Sequence, residues 1–147
     1  MRNYLSARVT LWANRFIGII MLVLIATMPF ILRWYADLRP LGQIPHLAII
    51  IAFYCCVPAV MAALWDVDRI MKRILAGQVF VMSNVQSIRH IRWYCVAVFL
   101  ICFPAAFFYP PLIFLAVIMA FLSLIVSVVG GVLKAAVAIR EENDLTI

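Results

Sequence analysis

Uncharged apolar runs alternate with polar stretches along the whole chain. The four runs that contain no charged residue lie at 16–32, 47–64, 94–109 and 112–133. A helix rises about 1.5 Å per residue, so runs of this length are near or above what is needed to cross roughly 30 Å of hydrocarbon. The pattern predicts an all-α membrane protein, a single domain with four transmembrane helices in an antiparallel bundle.

The longest polar segment between two apolar runs lies at 65–93 and is called the central segment here. Its first part keeps apolar residues at helical spacing, at Val67, Ile70, Met71, Ile74 and Leu75. Gly77 is placed to end that helix in a left-handed conformation. Ser83 followed by Gln86 is a capping-box pattern. We therefore predict a helical hairpin with its loop at 77–82 and its second helix starting near Asn84.

The composition agrees with a membrane protein. The chain has 147 residues, of which 68% are hydrophobic and 12% charged, whereas soluble domains have about 45–50% and about 25%. A net charge of +6 could suggest nucleic acid as a partner. The basic residues flank apolar runs instead, so we predict the lipid bilayer as the partner and no direct binding of nucleic acid.

The distribution of lysine and arginine predicts the orientation. The amino-terminal arm carries three, the central segment five and the tail at 134–147 two, ten in all, whereas the loop at 33–46 has two and the last loop none. By the positive-inside rule, both termini and the central segment face the cytoplasm. Trp12, Trp65 and Trp93 then mark the inner interface of the membrane.

Two features of the spans leave alternatives open. Ser123, Ser127, Gly131 and Ala135 form a stripe of small residues on the fourth span, which favours close helix packing. We favour a contact inside the molecule, with a homo-oligomer as the alternative.

Pro58 and Pro104 each remove a backbone donor, so a kink is expected at both. Most kinks serve packing, although a hinge or ligand site is the other interpretation.

The sequence has few residues of the kinds that enzymes and ion-coupled transporters use. The spans contain no charged residue, whereas proton-coupled or ion-coupled transport generally uses such groups. Asp66, Asp68 and His90 could form an acid–base set, but acids among five cations at an interface more often form helix salt bridges. The four cysteines are best interpreted as packing residues. We predict no enzyme activity, no cofactor and no metal.

Two pieces of the sequence resemble a known family. They are ILAGQVFVMSNVQSIRHI in the central segment and IREENDLTI in the tail, and they resemble the bacterial membrane family catalogued as domain of unknown function 2975. The matching positions are Gly77, Phe80, Asn84, Arg89, Ile91, Arg140, Glu141, Glu142, Asp144, Leu145 and Thr146. The resemblance implies the bacterial inner membrane as the location. It also implies a neighbour, since similar proteins are often encoded beside a small helix-turn-helix DNA-binding protein.

Our leading hypothesis is a membrane protein that binds and restrains a cytoplasmic partner such as that helix-turn-helix regulator. The predicted partner-binding residues are Arg69, Lys72, Arg73, Gly77, Phe80, Asn84, Arg89, Arg92, Glu141, Glu142 and Asp144. Because acids are disfavoured at the carboxyl end of a helix, we expect the tail to fold back onto the basic central segment. The alternatives are a small transport or channel component and an immunity-like or purely structural membrane protein.

Overall fold

The protein is built from four long α-helices. The computed structural model describes residues 2–38 and 42–145, with side chains at 8–38 and 42–143. The helices are α1 (Arg2–Leu38), α2 (Gln43–Leu75), α3 (Met82–Ala105) and α4 (Leu112–Leu145), and the described residues form no strand. All four are long and apolar enough to cross a membrane. This confirms the prediction of an all-helical chain with four membrane-capable helices.

All four helices extend at one end well beyond the apolar runs that predicted them. α2 has 33 residues and runs unbroken past Pro58 and into the central segment. At about 1.5 Å per residue it is about 50 Å long, against roughly 30 Å of hydrocarbon. α4 has 34 residues and likewise continues past the last apolar run. The ends of α2 and α4 and the start of α3 therefore form one polar end of the molecule.

The loop of the central segment closes as a glycine-terminated turn at 76–81. Gly77 has φ +77°, a conformation that is costly for residues with a Cβ atom. Its N–H donates to the carbonyl of Ile74 at 3.0 Å, and the N–H of Gln78 donates to the carbonyl of Arg73 at 2.9 Å. These two bonds form a Schellman motif. The predicted left-handed cap at Gly77 is confirmed.

The predicted capping box at Ser83 is wrong. α3 begins at Met82, two residues before the expected start, and its N-cap is Val81, whose side chain cannot accept a hydrogen bond. The start of α3 is fixed instead by long-range bonds to Arg73 and by the amide of Asn84, described below. A local sequence pattern was overridden by a tertiary contact.

The far end of α3 also differs from the predicted third span. α3 ends at Ala105, and residues 106–111 form successive turns before α4 starts at Leu112. Pro104 lies in the last turn of α3 and leaves the carbonyl of Leu100 without its helical donor. Beyond Ala105 the bonds include three-residue turns, such as Phe107 N–H to Pro104 O at 3.2 Å. The run at 94–109 is therefore helix only as far as Ala105.

Consecutive helices pack with the register of antiparallel pairs. The Asn14 amide donates to the carbonyl of Leu64 at 2.9 Å, and Tyr54 donates to the carbonyl of Ile25 at 3.1 Å. α1 packs on α2, α2 on α3, and α3 on α4. Over residues 2–38 and 42–145, no backbone packing joins α1 to α4. Over the described residues, the helices thus form an open row of neighbours.

Small residues let three of the helices meet at the centre of the row. Val98 and Cys102 of α3 and Ala116 of α4 form a buried cluster, and Ala116 is fully covered. Cys56, Ala59 and Val60 of α2 pack against it. In lipid, helix association depends on such close packing because the surrounding chains are as apolar as the helices.

The stripe of small residues on α4 faces α3 over only half its length. A Cβ atom on Gly130 would lie 3.1 Å from Cγ2 of Ile88, whereas a Cβ on Gly131 would have nothing within 4 Å. A step of four residues advances about 400° around a helix, so a strict fourth-residue stripe rotates by about 40° at each step. Ser127 therefore faces α3. Gly131 lies away from α3, and the neighbouring Gly130 makes the close contact with that helix instead.

Candidate functional site

Hydrogen bonds from Arg73 and Asn84 connect the loop of the central segment to α2 and α3. Nη1 of Arg73 donates to the carbonyl of Ser83 at 3.0 Å and to Oδ1 of Asn84 and Oγ of Ser87, at 3.4 and 3.3 Å. The amide of Asn84 donates to the carbonyls of Gln78 and Val79 at 3.0 and 2.9 Å. Each polar group of the Asn84 side chain is therefore used inside the loop.

Two of the predicted partner-binding residues thus have a structural role. Asn84 is 1% exposed and its side-chain groups bond within the hairpin, so it supports the predicted docking surface from inside. Nη1 of Arg73 donates to three acceptors within the same hairpin. Gly77 is exposed, and its positive φ accounts for its presence. Arg73, Gly77 and Asn84 therefore set the shape of the loop.

The acids of the central segment join three helices. Asp68 forms an ion pair with Lys72 one turn later and lies 3.6 Å from Nε of Arg15 on α1. Asp66 is buried, with a carboxylate oxygen 3.6 Å from Nδ1 of His90 on α3. Lys72 is therefore engaged inside the molecule. The salt-bridge interpretation of Asp68 is confirmed, and it extends to α1, which the spacing of residues could not have indicated.

At the polar end, the guanidinium groups of two arginines lie over the rings of two tryptophans. The guanidinium of Arg69 lies 5.8 Å from the ring centroid of Trp65, and that of Arg92 lies 5.5 Å from the ring of Trp93. Both tryptophans are exposed. Trp is enriched at membrane–water interfaces, and a cation within about 6 Å of an aromatic face is attracted to it.

A basic groove opens between α3 and α4 at the polar end. It has a volume of about 460 Å³. It is lined by Met82, Val85, Gln86, Ile88, Arg89, Arg92, Val126, Ser127, Gly130, Gly131 and Lys134. Nη1 of Arg92 donates to Oγ of Ser127 across the groove at 3.3 Å. The structure brings Arg89 and Arg92 of the predicted site together with Lys134, which the sequence reasoning did not include.

A second groove lies on the other side of α4, against the loop. Its walls are Phe80 and the α4 residues Ala136, Ile139, Arg140 and Asn143. Phe80 is 45% exposed and Ile139 61% exposed. Successive residues turn about 100° around a helix, so Ala136 faces almost opposite to Lys134. The two grooves therefore flank the end of α4.

The tail is helical and does not fold back. Residues 134–145 continue α4 without a break, so the expected return of the tail onto the central segment is wrong. Glu141 and Glu142 are exposed on this helix. The backbone of Asp144 lies in its last turn, but its side chain lies outside the described residues, as do Thr146 and Ile147. Instead, Phe80 of the central segment lies beside the helical tail, and the two line one groove.

The sequence profile of the family DUF2975, described as a protein of unknown function, matches residues 4–147. The chain belongs to this family. The match spans essentially the whole chain, so the family resemblance expected from the central segment and the tail is confirmed. No curated protein matches the chain significantly. No solved structure does so either.

Proposed function

We propose that this DUF2975 protein is a multi-pass protein of the bacterial inner membrane that binds a cytoplasmic partner protein at its polar end. Ten of the twelve lysine and arginine residues lie in the amino-terminal arm, the central segment and the tail. The positive-inside rule then orients both termini and the loop at 76–81 to the cytoplasm. The four membrane-capable helices support the location in a membrane.

The observation that carries the docking proposal is the groove between Phe80 and α4. Ile139 lies six residues beyond the last apolar run, which is about 9 Å along the helix. Its exposed side chain, together with Phe80, places an apolar patch outside the predicted hydrocarbon. Arg140 and Asn143 give that patch a polar rim. An apolar centre with a polar rim is the usual anatomy of a protein interface.

The rigid loop favours the same interpretation. Phe80 is presented by a segment that the Schellman motif, Arg73 and Asn84 hold in one conformation. A preorganised anchor loses little conformational entropy on binding. The family resemblance implies a small helix-turn-helix transcription regulator as the partner, which the protein would restrain at the membrane.

Photocrosslinking in intact cells tests this proposal. A photoreactive phenylalanine analogue is placed at Phe80, at Ile139 and, as the control, at Phe114, an exposed residue within the last apolar run. We expect Phe80 and Ile139 to capture the same protein and Phe114 to capture none. Capture of no protein at Phe80 and Ile139 would overturn docking at this groove. Capture of a single protein of another class would overturn the regulator as the partner.

A further inference from the structure

The basic groove between α3 and α4 is separate from the docking groove and has its own chemistry. Three of its eleven lining residues, Arg89, Arg92 and Lys134, are cationic and none is acidic. The acids of α2 face other side chains: Asp68 pairs with Lys72 and lies 3.6 Å from Nε of Arg15, and Asp66 lies 3.6 Å from Nδ1 of His90. Among the residues with described side chains, neither Arg89 nor Lys134 has an acidic partner.

The lining changes from charged to apolar along the groove. Lys134 directly follows the last apolar run, whereas Val126 and Ser127 lie within it. The groove therefore extends about 12 Å along α4, from Lys134 to Val126, into the predicted span. On α3, Arg92 precedes Trp93, and its guanidinium lies 5.5 Å from the centroid of that ring. The cations thus lie at the level of lipid headgroups, and the apolar wall lies at the level of acyl chains.

The glycines of α4 create the space. Gly130 brings α3 close, with Ile88 only 3.1 Å from where its Cβ would be. Gly131 lines the groove and has nothing within 4 Å of the same position. The helices therefore meet at one glycine and leave an open cleft beside the next.

We propose that this groove binds the phosphate headgroup of an anionic phospholipid, with an acyl chain along Val126. Phosphate matches the hydrogen-bonding geometry of arginine, and Arg89 and Arg92 supply two guanidinium groups. Basic pockets between membrane helices on the cytoplasmic side are suited to acidic headgroups. A free phosphate ion would use the cations but not the apolar wall within the span.

Native mass spectrometry of the detergent-purified full chain, titrated with phosphatidylglycerol, tests the proposal. Each cation contributes about 1 kcal/mol, or about fivefold in the dissociation constant. The double variant Arg89→Gln with Lys134→Gln should therefore raise the dissociation constant about 25-fold. The matched control, Arg8→Gln with Arg33→Gln, removes two exposed charges outside the groove and should change the dissociation constant less than about twofold. Equal effects of the two variants would show general attraction to positive charge and overturn the site.

Three further arms separate the sources of phosphate and the role of shape. Gly131→Leu keeps every charge but fills the cleft, so it should weaken phosphatidylglycerol binding, and unchanged binding would overturn the groove as the site. Phosphatidylcholine should bind more weakly than phosphatidylglycerol, and equal binding would overturn selectivity for an anionic headgroup. Millimolar inorganic phosphate should leave phosphatidylglycerol bound, and complete displacement would assign the groove to a free anion. Unchanged helicity and melting temperature confirm that each variant is folded.

Discussion

Nη1 of Arg73 lies 3.4 Å from Oδ1 of Asn84, so that the last turn of α2 and the first turns of α3 are joined across their loop. The side-chain amide of Asn84 in turn donates to the carbonyls of Gln78 and Val79, which belong to the loop. The loop that presents Phe80 is thereby fixed by side chains as well as by its own backbone. The hydrogen bonds of Arg73 and Asn84 thereby set the shape of the surface around Phe80.

The first prediction concerns Asn84. Asn84→Ala should destabilise the protein by about 1–3 kcal/mol, because it leaves two loop carbonyls and one bond of Arg73 without their partner. Asn84→Asp keeps the acceptor for Arg73 but loses both donors, so it should also destabilise. The control Ser83→Ala changes an exposed side chain and should stay within about 0.5 kcal/mol. Denaturant unfolding in detergent measures all three, and equal stability of Asn84→Ala and Ser83→Ala would contradict the role of Asn84.

The second prediction compares two adjacent glycines of α4. Gly130→Leu should destabilise by about 1–3 kcal/mol, because the new side chain would overlap Ile88 and force α3 and α4 apart. Gly131→Leu extends into open space and should have little effect on stability. Melting temperatures in detergent distinguish the two. A larger loss of stability in Gly131→Leu than in Gly130→Leu would show that the fourth-residue stripe, including Gly131, forms the helix contact.

The third prediction concerns the attachment of α1. Arg15 reaches Asp68 across the α1–α2 contact, and both side chains are partly exposed. A double-mutant cycle with Arg15→Gln and Asp68→Asn should give a coupling of about 0–1 kcal/mol, decreasing with salt. Asn14→Leu, which removes the bond to Leu64 O, should cost about 0.6 kcal/mol and be independent of salt. A salt-independent coupling for Arg15 would contradict an exposed pair.

Local features of the polar end could be predicted from the sequence, and long-range ones could not. The turn at Gly77 follows from one residue and its own backbone, so its prediction is confirmed. The start of α3 depends on Arg73, eleven residues before Asn84, and the spacing of Ser83 and Gln86 carries no information about it. Lys134 joins Arg89 only because α3 and α4 pack antiparallel. The helices themselves were predictable because apolar runs of this length require a membrane-spanning conformation.

The open row of helices could not be deduced from hydropathy. Exposed apolar side chains cover both α1 and α4, and a lipid-facing surface has the same composition as a buried helix contact. Whether α4 closes onto α1 therefore depends on the fit of small residues rather than on the number of apolar ones. The cluster around Ala116 provides that fit for α2, α3 and α4.

The central claim is that the polar end with its Phe80 groove faces the cytoplasm, and cysteine labelling tests it most directly. In a chain whose four native cysteines are replaced, Ser83→Cys reports on the loop of the central segment and Phe107→Cys on the opposite end, since both positions are exposed. With an impermeant maleimide, we expect labelling at Phe107→Cys in cells whose outer membrane has been opened, and labelling at Ser83→Cys only after the inner membrane is permeabilised. Labelling of Ser83→Cys before permeabilisation, with Phe107→Cys protected, would contradict the orientation and the docking surface built on it.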